Sequence, residues 1–188
     1  MTISLHDASP HDASPHDAAR RVTDTQFRQL MSHFPTGVSV VTATDADGVP
    51  RGMTCSSVCS VSTAPPTLLV CLRAGSPTLA AALTRRRFAV NFLHADAAAT
   101  ATLFASGNPT RFELVRWHEP AHAAGAHLAD DVLAVADCHV RQVETFGDHS
   151  ALFAEVHHAE FTGAGVPLLY GLRRFSGWPD HADTATPA

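Results

Sequence analysis

Apolar residues keep a helical spacing only near the start of the chain, and beyond residue 37 they fall mostly into short runs and alternations of strand type. Phe27, Leu30, Met31 and Phe34 follow an i, i+3, i+4, i+7 pattern, and Thr23 with Gln26 three positions on reads as a capping box. The pattern predicts an amphipathic helix packing on a core. Pro35, Thr36 and Gly37 break it, and GVSVVTAT (37–44) follows as a β-branched strand. Asp47-Gly48 is a hairpin signal, so the strand over 38–44 and one beginning near Arg51 should be antiparallel neighbours. Next come PTLLVCLR as a buried strand, SPTLAAALTRR as a helix and RFAVNFL as another buried strand. Ser76 is placed to cap that helix with Pro77 at its first position, and Asp96 to cap a further one, DAAATATLFAS, which Gly107-Asn108-Pro109 ends.

The stretch from 107 to 128 reads as short helices or loop, with Phe112, Leu114 and Trp117 as anchors. Two long strands, VLAVADCHVRQVETF and SALFAEVHHAEF, flank a turn at Gly147-Asp148-His149. In the first, alternation turns Ala134, Ala136, Cys138 and Val140 inward and Asp137, His139 and Arg141 to water. A last short strand, PLLYGLRRF, is expected to close the sheet. Six or seven strands joined by hairpins and short helical crossovers favour a mainly β fold, a small antiparallel barrel with flanking helices. No G-x-G-x-x-G follows any strand, which disfavours a parallel dinucleotide-binding sheet.

Composition narrows the function classes. The 188 residues suit one domain, and 45% hydrophobic content supports a core. Residues 1–22 carry the repeat HDASPHDASPHDA, with His6, His11 and His16 among prolines, and read as a disordered tail before a domain over 23–178; residues 179–188 read as a second tail. The net charge of -5 offers no basic field for nucleic acid, and no apolar run is long enough to cross a bilayer. A cytoplasmic protein is the expectation. Cys55, Cys59, Cys71 and Cys138 form no C-x-x-C pair and read as reduced, mostly buried thiols. Neither the tail histidines nor His118, His122 and His127 have a recognised ligand spacing, so no metal site is expected.

The chemically suggestive segment is RGMTCSSVCSVSTAPPTLLVCL (51–72), in which hydroxylated and apolar side chains interleave, followed by the capped helix start at Ser76, Pro77 and Thr78. A helix N-terminus presents unpaired N–H groups and the positive end of its dipole, so with two added hydroxyls it could receive a phosphate. The same residues also suit a polar strand face beside an ordinary capped helix.

Five stretches, FRQLMSHFPTGVSVVTA (27–43), GMTCSSVCSVSTAPPTLLVCL (52–72), FAVNFL (88–93), GDHSALFAEV (147–156) and PLLYGLRRFSG (167–177), occur in the order that resembles the short-chain flavin reductase family. The resemblance implies an antiparallel Greek-key split β-barrel and an NAD(P)H-dependent reductase of FAD or FMN. Its likeness to reductase components of two-component aromatic monooxygenases implies transfer of reduced flavin to a partner oxygenase, and the family implies a homodimer. By the same likeness Thr54, Cys55, Ser56 and Ser57 run beside the flavin ring and ribityl chain, Ser76, Pro77 and Thr78 receive its phosphate, and Thr36 and Gly37 lie near flavin and nicotinamide. Asn91 would border the flavin or, equally well, pair with a neighbouring loop. His149 would face the nicotinamide, unless it bonds Asp148 and fixes the hairpin. Tyr170 and Arg174 would meet the dinucleotide or the dimer interface, and Arg111 a phosphate or solvent. The alternatives to a reductase are a non-catalytic flavin-binding split-barrel protein and a pyridoxamine phosphate oxidase; the sparse lysine and arginine argue against the latter.

Overall fold

The computed structural model describes residues 21–162 and 165–179, in two compact units that divide between Phe34 and Pro35. The HDASP repeat and most of the expected C-terminal tail lie outside the described residues. Within the first unit, α1 (Asp24–Ser32) starts at Thr23 with both halves of the expected capping box. Its apolar stripe is present, and no residue of the helix is buried.

The second unit is built on a seven-stranded antiparallel sheet. In chain order its strands are β2 (Ser39–Thr44), β3 (Pro50–Cys55), β4 (Val58–Thr63), β5 (Pro66–Arg73), β6 (Arg87–Leu93), β9 (Val132–Phe146) and β10 (His149–Phe161), and across the sheet they run β3-β2-β6-β9-β10-β5-β4. The short β7 (Trp117–His118) and β8 (His127–Leu128) pair with each other outside it. The predicted hairpins over 45–49 and 147–148 join β2 to β3 and β9 to β10. Helix α2 (Pro77–Arg85) crosses from β5 to β6, and α3 (Ala98–Ala105) follows β6. The segment over 51–72, read as one strand edge and one buried strand, holds an additional exposed strand, β4, between them.

Each face of the sheet has its own core. Val41 and Ala43 of β2 join Leu72, Phe88, Cys138, Leu152 and the α2 residues Leu79, Ala81 and Ala82 in one cluster. Val38 and Val40, pointing the other way, meet Ala101 and Phe104 of α3, Leu93 and Leu128. Strand β2 is therefore buried at all six positions, the hydroxyls of Ser39, Thr42 and Thr44 included, as a strand covered on both faces.

Several expectations change in the folded chain. The last segment does not close the main sheet: β11 (Leu168–Gly171) and β12 (Arg174–Gly177) form a hairpin through Leu172 and Arg173, both at positive φ, and pair with β1 (Thr36–Gly37) as a separate three-stranded sheet. Helix α3 is capped by no side chain; its N-cap is Ala97, not Asp96. Leu114 is exposed, whereas Phe112 does anchor its segment, edge-on to both Phe104 and Trp117. Asp137 is buried, not in water, because the chain over 119–128 lies across that face of the sheet and donates the Ala124 N–H to it. That loop also buries His127 and is tied to β2 through Thr42 and Thr44, which donate to Ala126 O and Glu119.

Candidate functional site

The start of α2 is where the local sequence and the tertiary fold converge. Gly75, at φ +75°, takes a left-handed conformation that L side chains rarely adopt, and it turns the chain from β5 into the helix. Ser76 then caps α2, its Oγ accepting from the Leu79 N–H at 3.2 Å, and Pro77 occupies the first turn. The helix start opens onto a cleft of about 600 Å³ whose opposite wall is β3 and the end of α3. Thr54, Ser76, Pro77, Thr78 and Arg111, five of the residues expected at a cofactor site, line this cleft together.

The cleft also contains residues that sequence reasoning missed. Arg51 and Arg73 line it, so with Arg111 three arginines border one cavity. Arg51 is held by Asp45 at 2.8 Å. Arg111 donates through Nε to Asn108 O and through Nη1 to Gly52 O, both at 2.7 Å. Among the described residues its Nη2 has no partner. Burial, and then the like charge of Arg51, pull the Arg111 guanidinium below its ordinary range, a penalty that an anion in the cleft would relieve. The floor is Gly52: a Cβ there would stand 2.9 Å from Phe104 and 3.0 Å from Phe112. The convergence of Arg51, Arg73 and Arg111 from separate segments left no local signal in the sequence.

The remaining expected residues lie outside the lining of this cleft. Cys55, Ser56 and Ser57 continue from β3 past the cleft. Ser57 Oγ donates to Cys71 O at 3.0 Å and accepts from Cys71 N at 3.1 Å, stitching the β3–β4 junction to β5, and the buried Cys55 Sγ lies 3.2 Å from it. Burial raises the Cys55 thiol above its ordinary value. Thr54 donates its hydroxyl to Ala101 O at 2.6 Å and so fixes α3 against β3. His149 does not line the cleft, but it opens β10 directly opposite Arg73, which does, so the two side chains share one face of the sheet. Its Nδ1 lies 2.9 Å from Asp148 Oδ1, the hairpin-fixing contact, and the ring is half exposed. That contact holds the Asp148 carboxyl below the ordinary range. Asn91 is a correction to the expected cofactor contact: it is fully buried, its Nδ2 donates to Val40 O, Thr42 Oγ1 and Ala126 O, and its Oδ1 accepts from Leu128 N. Both polar atoms of the amide are engaged inside the core, by β2 and by the loop, and not in the cleft.

Thr36, Gly37, Tyr170 and Arg174 do not line this cleft. Thr36 pairs with Tyr170 and Gly171 with Arg174 in the small sheet, where the Tyr170 and Phe175 rings lie 5.2 Å apart. Gly37 borders a second, apolar cleft of about 640 Å³ with Val58, Leu68, Phe92 and Val156.

These features match known proteins. The profile of the family described as "Flavin reductase like domain" matches residues 31–179. A "Flavin reductase (NADPH)" of Lentzea aerocolonigenes is 46% identical over 157 residues, covering 84% of this chain and 91% of that protein. The reductase component of a 4-nitrophenol 4-monooxygenase/4-nitrocatechol 2-monooxygenase of Rhodococcus opacus is 40% identical over 150 residues, 80% of this chain and 78% of its own. Among solved structures, an NADH:FAD oxidoreductase of Streptomyces globisporus C-1027, in complex with NAD and FAD fragments, superimposes with a TM-score of 0.77 at 31% identity, covering 87% of this chain and 99% of that one.

Proposed function

The chain belongs to the flavin reductase-like family, and from that premise we propose that residues 23–178 act as one NAD(P)H:flavin oxidoreductase domain. It reduces FAD or FMN with NADH or NADPH and supplies the reduced flavin to a partner monooxygenase. The observation that carries this reading is the cleft in which the capped start of α2, Thr78 and three arginines border one cavity.

The residues fit a flavin. When bound, the flavin supplies the chemistry by accepting hydride from the nicotinamide at its ring nitrogen N5. The protein's part is to bind, orient and exclude water. Ser76, Thr78 and Arg111, with Arg51 and Arg73, would neutralise the flavin phosphate through hydroxyl, amide and guanidinium donors, while Pro77, which has no N–H to donate, shapes the helix start. The absence of a side chain at Gly52 lets the Phe104–Phe112 pair pack directly against β3 where both line the cleft. Thr54, Cys55, Ser56 and Ser57 would run beside the ring, their main-chain N–H groups stabilising negative charge that develops on it. His149, on the same sheet face as Arg73, would donate to the nicotinamide side through the nitrogen not engaged by Asp148. Thr36, Gly37, Tyr170 and Arg174 would contribute to the nicotinamide side or to a subunit boundary.

Steady-state reduction with all four flavin and nicotinamide pairings tests the reading. Turnover with free flavin in excess is expected; tight flavin binding with no oxidation of NADH or NADPH would favour the non-catalytic flavin-binding alternative. We further propose a cytoplasmic homodimer. The four unpaired cysteines and the lack, among the described residues, of any helix long and apolar enough to cross a membrane support the compartment. The apolar cleft beside Gly37 and the exposed edge strand β4 support the dimer.

A further inference from the structure

Strand β10 carries a bulge between Val156 and His158, and it sets His158 directly across from Asp137 of β9. The loop over 119–128 brings His122 to the same place: the His122 and His158 rings lie 4.3 Å apart at 64°, tilted and not stacked. One ligating atom from each of His122, Asp137 and His158 lies within 4.8 Å of the other two. We propose that these three residues form a site for one divalent transition-metal ion of the zinc class, which clips the 119–128 loop to the β9–β10 ribbon.

The carboxylate is what distinguishes this cluster from a chance meeting of histidines. Asp137 is 2% exposed. Its Oδ1 accepts two hydrogen bonds, from Ala124 N at 2.7 Å and His127 Nε2 at 3.0 Å, while its buried Oδ2 has no partner. One oxygen is thus oriented and saturated and the other left bare, the arrangement in which a histidine and a backbone amide position a ligating carboxylate. Neither the His122 nor the His158 imidazole has a hydrogen-bond partner among the described residues, and both are exposed, so their ring nitrogens are free to turn toward an ion. Two imidazoles and one carboxylate suit Zn²⁺, Co²⁺ or Ni²⁺ better than Ca²⁺ or Mg²⁺, which prefer all-oxygen shells. Ligands about 2.1 Å from a tetrahedral ion stand roughly 3.4 Å apart. Small rotations of the two exposed histidines close the remaining gap, and solvent takes the fourth position. None of the three residues lines the cleft assigned to flavin.

The test compares Zn²⁺ binding to the full chain and to the double variant His122→Ala/His158→Ala by chelator competition, with thermal unfolding in the presence and absence of Zn²⁺. The full chain is expected to hold one Zn²⁺ more than the variant, with at least 10-fold higher affinity for that ion, and to unfold at a higher temperature with Zn²⁺ than without it. The variant should lose both effects. Both replaced side chains are exposed, and circular dichroism together with the metal-free unfolding temperature checks that the variant is folded. Substituting Co²⁺ should give the visible absorption of a four-coordinate site in the full chain only. Equal stoichiometry and equal thermal response in both proteins would place the ions on the other histidines of the chain and overturn the proposal, as would a full chain that binds no Zn²⁺. Asp137→Asn provides a further arm, with the ion expected to be lost while the His127 contact persists.

Discussion

At Gly52 the candidate site depends on the absence of a side chain. A methyl group would stand 2.9 Å from Phe104 and 3.0 Å from Phe112, so Gly52→Ala is expected to destabilise the protein by about 1–3 kcal/mol through overpacking and to weaken flavin binding; thermal unfolding and fluorescence titration would read the two effects. At Ser76 the contributions can be separated. Glycine retains most of an N-cap's value whereas alanine costs about 1 kcal/mol, so Ser76→Gly should keep the unfolding temperature while weakening flavin binding. An unchanged flavin dissociation constant in Ser76→Gly combined with Thr78→Ala would remove the phosphate assignment. For His149→Ala the expected change is a Michaelis constant for the nicotinamide raised by about 2- to 10-fold, the worth of one hydrogen bond, with flavin affinity retained. The thiols should also sort by environment. Cys59 is exposed and should react with a maleimide in the native protein, while the buried Cys55 and Cys138 should react only on unfolding.

At the scale of elements, the loop over 119–128 governs much of what the strand patterns concealed. Asn91 of β6 satisfies four backbone or hydroxyl groups of β2 and this loop. Asn91→Ala would strand several buried partners at about 1–3 kcal/mol each, and urea unfolding should show a loss of that order or larger with flavin chemistry affected only through stability. The capping box of α1, the Ser76 cap and the β2–β3 and β9–β10 hairpins were all legible, because each depends on residues no more than a few positions apart. The inward and outward faces of β9 were legible only in part. Alternation correctly turned Ala136, Cys138 and Val140 inward, but the opposite face is covered by the loop, and Asp137 is buried there with His127. Strand β4 escaped notice because its exposed, hydroxyl-rich edge carries too few apolar residues to register as a separate strand.

On the scale of the whole molecule, a homodimer should sediment at twice the mass of the 19.9 kDa chain, and a monomer at working concentrations would remove the dimer proposal. Mixing with a partner oxygenase should couple nicotinamide oxidation to substrate hydroxylation, whereas the reductase alone should consume nicotinamide without hydroxylation. By itself the amino-acid sequence determined the mainly β class, the order of most elements, the helix cap at Ser76 and the family likeness, since backbone periods of two and 3.6 residues and capping hydrogen bonds act over short stretches of chain. Only the tertiary structure decided that Arg51, Arg73 and Arg111 share one cleft, that Asn91 serves a loop, that the C-terminal hairpin pairs with β1, and that His122, Asp137 and His158 meet. Those meetings join residues tens of positions apart, and they follow from which surfaces must be buried together, a requirement that no local pattern of side chains expresses.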